Sequence, residues 1–246
     1  MILLEQLNIL FIKGFKVGGT SFEIALSKFA NKNDIVTPIA NEDEEIRKGL
    51  NFQHPVNYEF NNKEIIKNSK LLYLNSLKNT ELRYKFFEHI SAAKIKSYFG
   101  SSYFEKLTKV AIVRNPYSYI VSRYYWDIAA AKYNNKKHIY NLPFDQWLKN
   151  YPSKIVENTN LIKVDNEFVI DEVIKFENFE NDLTNFERNY NLKDLKKTFY
   201  NINTKSNINK SKKNYLSLFK DNSQLETIHY LNEDYFNKFK YKKETI

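Results

Sequence analysis

The sequence contains no cysteine and only five glycines and five prolines among its 246 residues. The absence of cysteine excludes disulfide bonds, a thiol nucleophile and cysteine-based metal sites. Long apolar runs are also absent, because runs such as LNILFI (7–12) fall far short of the roughly 20 residues that a transmembrane helix needs. Without a linker rich in glycine or proline, we expect one domain over residues 1–246.

The first residues, MILLEQLNILF, also lack the features of a secretory signal. An acidic residue comes early, and there is neither a basic leader nor a cleavage site of small residues. We therefore expect a soluble, cytoplasmic protein.

Basic and aromatic residues are abundant. The chain has 38 Lys and Arg against 29 Asp and Glu, a net charge of +9, with 42% hydrophobic and 16% aromatic residues. The apolar content is sufficient for a packed core. The positive charge favours an anionic partner, such as nucleic acid, a phosphorylated or sulfated ligand, an acidic glycan or an anionic membrane. Charge alone does not choose among these classes.

Strand and helix patterns alternate along the chain. LNILFI predicts a buried strand, a glycine loop follows it, and TSFEIALSKFA (20–30) has the apolar spacing of a helix. TKVAIV (108–113) predicts a second strand, followed by a turn and a helix that begins near Pro116. FVIDEVIKF (168–176) predicts a third. The alternation indicates an α/β fold in three layers, P-loop-like, with a mostly parallel central sheet flanked by helices.

The remaining segments give weaker signals. SAAKIKSYFG (91–100) predicts a short helix between a serine cap and a glycine, and QLETIHYLNEDYFNKFKY (224–241) predicts one closing helix. LLYLNSL (71–77) fits a strand or a helix. The polar, basic stretch 203–215 predicts a loop.

The glycine loop, KGFKVGGTS (13–21), lies in the setting where a backbone can hold an anion. Helix N-terminal amides are unpaired and point toward a ligand, and glycines let it approach closely. Gly14 and Gly19 have the spacing of a Walker A loop, but Thr20 takes the place of that motif's lysine, which lies inside the loop at Lys16. This favours a single 5′-phosphate with a transferable group beside it over a nucleoside triphosphate.

A second strand–turn–helix unit puts Arg114 at the end of its strand and Ser122 two turns into its helix. An arginine and a hydroxyl on one side suit a second phosphate. The alternative is an arginine paired with a carboxylate and a serine bonded within its own helix.

At this point the two units resemble the sulfotransferases that use 3′-phosphoadenosine 5′-phosphosulfate (PAPS), above all the branch of glycan enzymes such as heparan sulfate 2-O-sulfotransferase. FIKGFKVGGTSFE resembles the family's 5′-phosphosulfate loop, and AIVRNPYSYIVSRYYW resembles its 3′-phosphate segment. HISAAKIKSYFG before the second segment, VIKFENFENDL after it, and NKSKKNY followed by LNEDYFNKFKY complete the family's order over nearly the whole chain.

The resemblance implies an enzyme that moves a sulfuryl group from PAPS to a hydroxyl, with a carbohydrate or other small-molecule acceptor, no metal and no nucleic acid partner. Lys16 would contact the 5′-phosphate and its bridging oxygen, and His89 would act as the base, with Glu23 and Glu177 as substitutes. The other implied donor contacts are Gly18, Gly19, Thr20, Ser21, Arg114, Ser122 and Lys212.

Three residues depart from the family pattern. Phe15 replaces a proline, Val17 replaces a hydroxyl residue, and Tyr119 stands where many members have arginine. A P-loop kinase or other nucleotide-handling enzyme and a basic nucleic-acid-binding module stay open as alternatives. The lysines around Lys212 also fit a solvated charge run.

Overall fold

The computed structural model describes residues 1–60, 84–202 and 215–246. The strands are β1 (Ile2–Leu4), β2 (Ile9–Phe11), β3 (Ile35–Val36), β4 (Thr108–Val113), β5 (Lys163–Val164), β6 (Glu167–Phe168) and β7 (Glu172–Lys175). The α-helices are α1 (Gly19–Ser27), α2 (Asn41–Gly49), α3 (Ala92–Phe99), α4 (Ser101–Phe104), α5 (Pro116–Tyr133), α6 (Lys137–Tyr140), α7 (Phe144–Asn150), α8 (Glu157–Leu161), α9 (Phe179–Asn189), α10 (Leu195–Asn201), α11 (Asn222–Leu231) and α12 (Glu233–Phe239).

Five strands form the main sheet, in the order β3-β1-β2-β4-β7. The pairs β2–β4 and β4–β7 are parallel, whereas β1 is antiparallel to both β2 and β3. The α/β prediction is confirmed, but the sheet is mixed rather than mostly parallel. A 3₁₀ turn, Glu5–Leu7, and a left-handed Asn8 reverse the chain after β1. So short a connection makes a hairpin, because parallel neighbours need a crossover of a dozen residues or more.

The predicted strand 168–176 is wrong as a single element. Its start belongs to β6, which pairs with β5 in a separate two-stranded sheet, and only β7 joins the main sheet. Asp165 and Asn166 connect β5 to β6 with φ angles of 50° and 66°. Two left-handed residues are typical of the tight turns that close hairpins. Because of this turn, β6 pairs with β5 and not with a strand of the main sheet.

Helices cover both faces of the main sheet, which gives three layers. Alternating strand residues point to opposite faces, so Leu10 and Ala111 join one core cluster with α3, α4, α8 and α12. Phe11 and Ile112 join a second with α1, α9 and α10. A third cluster packs α5 against α7 and α11. Within the described ranges, no helix combines the length and the apolar content that spanning a membrane requires.

Several predicted helix boundaries are confirmed. Ser91 caps α3 by accepting from the Lys94 amide, and Gly100 ends it with a φ of 78°. Asn115 caps α5, of which Pro116 is the first residue. Two other predictions, the strand or helix at 71–77 and nearly all of the loop 203–215, lie outside the described residues.

The predicted single closing helix is wrong, because Asn232 separates α11 from α12. Its buried amide group donates to the carbonyl oxygens of Ile155 and Ile228 and accepts from the Thr159 hydroxyl. A side chain committed to three polar partners in the core fixes the chain at this position and ends α11.

Candidate functional site

The candidate site lies where the parallel strands end. The carboxyl ends of β2, β4 and β7 are neighbours in the sheet, and the loops that leave them carry residues 12–18, 114–115 and 176–178. Open α/β sheets bind ligands in the crevice at this edge. The residues predicted from the two sequence motifs therefore share one end of the sheet.

Two left-handed residues shape the glycine loop. Lys16 has a φ of 55° and Gly18 a φ of 77°. Gly18 is the residue before α1, whose first residue is Gly19. A Cβ at position 19 would lie 2.9 Å from Cγ of Lys13, so this close approach requires glycine. Of the two predicted hydroxyl residues, Thr20 is partly exposed and Ser21 is buried in the first turn of α1.

Side chains from distant parts of the chain hold the loop backbone. The Phe15 amide donates to Oδ1 of Asn158 over 2.7 Å, and Nδ2 of Asn158 donates back to the Phe15 carbonyl over 3.0 Å. Nη1 of Arg114 donates to the Lys16 carbonyl over 2.8 Å. Three hydrogen bonds thus fix two consecutive loop residues, which pre-organises the loop before any ligand binds.

The two lysines of the loop have different environments. Lys13 is buried, its Nζ lies 3.0 Å from Oε2 of Glu23, and it also pairs with Glu88. Nζ of Lys16 lies 4.3 Å from the ring centroid of Trp126. A cation–π contact of this kind contributes only about 0.5–1 kcal/mol at exposed sites. Lys13 therefore anchors the loop, whereas the Lys16 ammonium lies over an aromatic ring.

Glu23 is the first of the two glutamates that could replace His89 as the base. It is fully buried, at 0% exposure. Burial raises the pKa of its carboxyl, but the charges of Lys13, the Met1 amine and Arg47 outweigh burial and lower that pKa to about 2. Glu23 is therefore an ionised structural residue rather than a base.

His89 packs directly on the loop. Its ring stacks on Phe15, with 3.8 Å between centroids and 23° between planes. Its Nδ1 lies 3.1 Å from the Lys13 carbonyl oxygen. A carbonyl oxygen only accepts, so Nδ1 carries the proton and Nε2 of the neutral ring is the acceptor. His89 therefore adjoins the glycine loop, and its role as the base stays a prediction.

The protonation state of His89 follows from its surroundings. Burial lowers the pKa of the imidazole to about 4, Glu88 opposes this, and Lys13 reinforces it. The ring is therefore neutral near pH 7. Oε1 of Glu88 lies 3.9 Å from Nε2, close enough to stabilise an imidazolium once a proton has been taken up.

Arg114 contacts the loop from the β4 side. Its guanidinium lies 4.3 Å from the Phe176 ring centroid, and its Nε donates to Oγ of Ser118 over 3.0 Å. Burial lowers the pKa of Arg114 to about 10 while Glu177 raises it, so the side chain is charged at neutral pH. Ser122 is buried one turn beyond Ser118 on α5. The hydroxyl bound to Arg114 is thus that of Ser118, and the shared phosphate contact of Arg114 and Ser122 stays a prediction.

Two carboxylates border this corner. Oε1 of Glu177 accepts from the Asn115 amide over 2.8 Å, and Oε2 accepts from the Tyr241 hydroxyl over 2.9 Å. Glu244 accepts from Nδ2 of Asn115 over 3.0 Å. Glu177 therefore orders the strand–helix turn.

A small cavity of about 10 Å³ lies beside Arg114. It is lined by Arg114, Pro116, Tyr119, Ile155, Asn158, Thr159, Asn232 and Tyr235. This is the space of about one water molecule, whereas small-molecule sites span roughly 300–1,000 Å³. A nucleotide would accordingly lie on the open side of the loop and not in this cavity.

Four residues of the site escaped sequence reasoning, and each has a different reason. Ser118 has a local signal, since it is four residues after Arg114 along the helix. Asn158 has none, because 143 residues separate it from Phe15. Phe15 departs from the family pattern, and the aromatic run that contains Trp126 is typical of a helix packed in the core. Lys212 lies outside the described residues.

Comparison of the chain with models of known protein families, with curated proteins and with solved structures finds no match. The functional assignment therefore rests on the residues and geometry described above.

Proposed function

We propose that the protein is a sulfotransferase that moves a sulfuryl group from PAPS to an acceptor hydroxyl, with a carbohydrate as the expected acceptor, on a P-loop-like α/β fold. The observation that carries the proposal is convergence on one loop. His89 stacks on Phe15 and binds the Lys13 carbonyl, while Arg114 binds the Lys16 carbonyl. A candidate base and a candidate phosphate-binding arginine thus meet the same candidate anion loop.

The residues divide the chemistry as follows. The acceptor oxygen attacks sulfur, and the bond from sulfur to the bridging oxygen of the 5′-phosphate breaks in line with it. Nε2 of His89 takes the acceptor proton. The Lys16 ammonium and the first amides of α1 stabilise the charge that develops on the leaving phosphate. Arg114 holds the 3′-phosphate.

The position of Lys16 supports this assignment over a triphosphatase. In a triphosphatase, the loop lysine follows the last glycine and reaches the β- and γ-phosphates. Here that position is Thr20, and the lysine lies before the left-handed Gly18. The loop suits a donor with one 5′-phosphate. Basic residues dispersed along the chain likewise suit an acidic glycan or a multiply charged donor.

A transfer assay with ³⁵S-labelled PAPS tests the proposal. The protein is incubated with a panel of sulfated and unsulfated glycans, and both labelled product and released adenosine 3′,5′-bisphosphate are quantified. We expect transfer that falls at least about 100-fold in Lys16→Ala and in His89→Gln, whereas Lys106→Ala, an exposed lysine before β4, retains full activity. Phosphoryl transfer from ATP in place of sulfuryl transfer, or equal rates in all variants, would contradict it.

A further inference from the structure

We propose that Phe15 is a positioning residue for His89: its ring holds the imidazole so that Nδ1 stays on the Lys13 carbonyl and Nε2 is the nitrogen that accepts a proton. The proposal deepens the proposed function, on which His89's role as the base rests. It also gives a reason for an aromatic ring where the resemblance led us to expect proline.

The contact between the two rings is close and nearly parallel. A centroid separation of 3.8 Å at 23° brings one face of the imidazole against Phe15. An imidazole can rotate about its last torsion, because such terminal torsions have broad, roughly two-fold preferences. A flat surface at van der Waals distance removes that freedom, and the single hydrogen bond from Nδ1 then selects one of the two ring orientations.

Phe15 can serve as a fixed surface because α8 and α5 fix Phe15 itself. Asn158 of α8 binds both its amide and its carbonyl. The guanidinium of Arg123, a residue of α5, lies 4.7 Å from the Phe15 ring centroid. Nε of Arg123 is in turn 2.9 Å from Oε1 of Glu157, the residue before Asn158. Helix α8 thus supplies both Asn158, which binds the Phe15 backbone, and Glu157, which pairs with the Arg123 that contacts the Phe15 ring.

Among the residues that the structure describes, three charged groups act on the His89 ring. Glu88 lies 3.9 Å from Nε2, and the Lys13 ammonium and the Met1 amine act on the ring through their charges. Arg123 contacts the Phe15 ring. Removing the Phe15 ring changes none of these charges, but it exposes the imidazole to water and frees its rotation.

The test is nitrogen NMR of the histidine side chains in the intact chain, uniformly labelled with ¹⁵N. Long-range proton–nitrogen spectra report which ring nitrogen carries the proton, and a pH series gives the pKa of His89, assigned with His89→Gln. In the unsubstituted protein we expect the Nδ1–H form and a pKa of about 4.

Three variants separate positioning from packing. Phe15→Leu should lose the preference for Nδ1–H and raise the pKa of His89 towards the ordinary value of 6.5. Phe15→Tyr keeps a ring and should retain both properties. Phe99→Leu is the matched control, because Phe99 is another partly buried phenylalanine, whose ring contacts are Phe86 and Tyr103. If Phe15→Leu does not fold, Phe15→Met replaces the ring with a flexible chain of similar size.

Phe15→Leu spectra that match those of the unsubstituted protein overturn the proposal. So does loss of the Nδ1–H form in Phe99→Leu to the same extent as in Phe15→Leu. The NMR readout does not require turnover, so it is separable from the proposed function. If the expected spectra are found but no sulfuryl transfer is detected, the positioning role of Phe15 is supported and the proposed sulfotransferase activity is refuted. If sulfuryl transfer is detected but the Phe15→Leu spectra are unchanged, the proposed activity is supported and the positioning role of Phe15 is refuted.

Discussion

The candidate donor loop depends on a buried ion cluster, and the most informative stability perturbation is Glu23→Gln in its centre. Glu23 is fully buried and lies 3.0 Å from Nζ of Lys13 and 3.8 Å from Nη2 of Arg47. Its Oε1 also accepts from the Thr37 hydroxyl over 3.0 Å. Replacing the carboxylate with an amide preserves the volume but leaves the buried Lys13, Arg47 and Met1 amine with weaker compensation.

The size of the effect follows from two independent estimates. Removing one partner from a buried ion pair costs about 3–5 kcal/mol. Glu88 stays with Lys13 and Glu44 stays with Arg47, so the lower end, about 3 kcal/mol, is expected. The pKa of Glu23 gives a similar figure. It falls from 4.5 to about 2, and at about 1.4 kcal/mol per unit this is about 3–4 kcal/mol.

Urea unfolding at pH 7 measures this free energy, with Glu226→Gln, an exposed glutamate on α11, as the control. For a chain of this size, about 3 kcal/mol lowers the melting temperature by about 6–12 °C. The folded-state pKa of Glu23 is lowered, so its contribution is present above pH 4.5 and is lost as the pH falls towards 2. Glu23→Gln should lack that acid-dependent loss. A destabilisation below about 1 kcal/mol, similar to the control, would refute the reasoning.

Two further substitutions test how the loop is held. Asn158→Ala leaves the amide and carbonyl of Phe15 without their partners and should cost about 1–3 kcal/mol in urea unfolding; an unchanged midpoint would contradict the clamp. Gly19→Ala places a methyl 2.9 Å from Cγ of Lys13 and should cost about 1–3 kcal/mol. Gly49→Ala, where a Cβ meets nothing within 4 Å, should be neutral or slightly stabilising; equal effects of the two alanines would refute the steric argument.

Local signals predicted the local structure well. Ser91 and Gly100 mark the ends of α3, and Asn115 with Pro116 marks the start of α5. Capping is decided by neighbouring residues, so a single sequence contains the necessary information. The two strand–turn–helix units follow for the same reason, and they fix which loops meet at the carboxyl edge of the sheet.

The features that the sequence did not predict depend on contacts between residues far apart in the chain. β1 has three residues, too few for a periodic pattern, and its antiparallel direction depends on the turn that follows. Asn232 interrupts a good helical pattern because its amide group has partners on α8 and in the segment before it. A local sequence pattern does not identify such distant partners. For the same reason, the sequence did not predict the hydrogen bonds between Asn158 and the Phe15 backbone.

Val17 and Tyr119, which depart from the pattern of the sulfotransferases that the chain resembles, have structural explanations. Val17 is 1% exposed and packs in the core cluster beneath α1, so the side chain at this position serves packing and cannot contribute a hydroxyl. The single hydroxyl hydrogen of Tyr119 is shared between the Glu157 carboxylate and the Lys154 carbonyl. Arg123, one helical turn later, supplies the cation beside the loop by contacting Phe15. Val17 thus packs the loop into the core, and Tyr119 links α5 to residues 154–157.

The most direct test of the central claim is isothermal titration with adenosine 3′,5′-bisphosphate in EDTA, beside AMP and beside ATP with Mg²⁺. Lys16→Ala and Arg114→Ala are the variants, and Lys106→Ala is the control for loss of one positive charge. The account predicts metal-free binding that prefers the bisphosphate and weakens at least about tenfold in both variants, since a hydrogen bond to a charged group contributes about 1.5–3 kcal/mol. No binding, a preference for ATP with Mg²⁺, or equal affinity in all variants would contradict it.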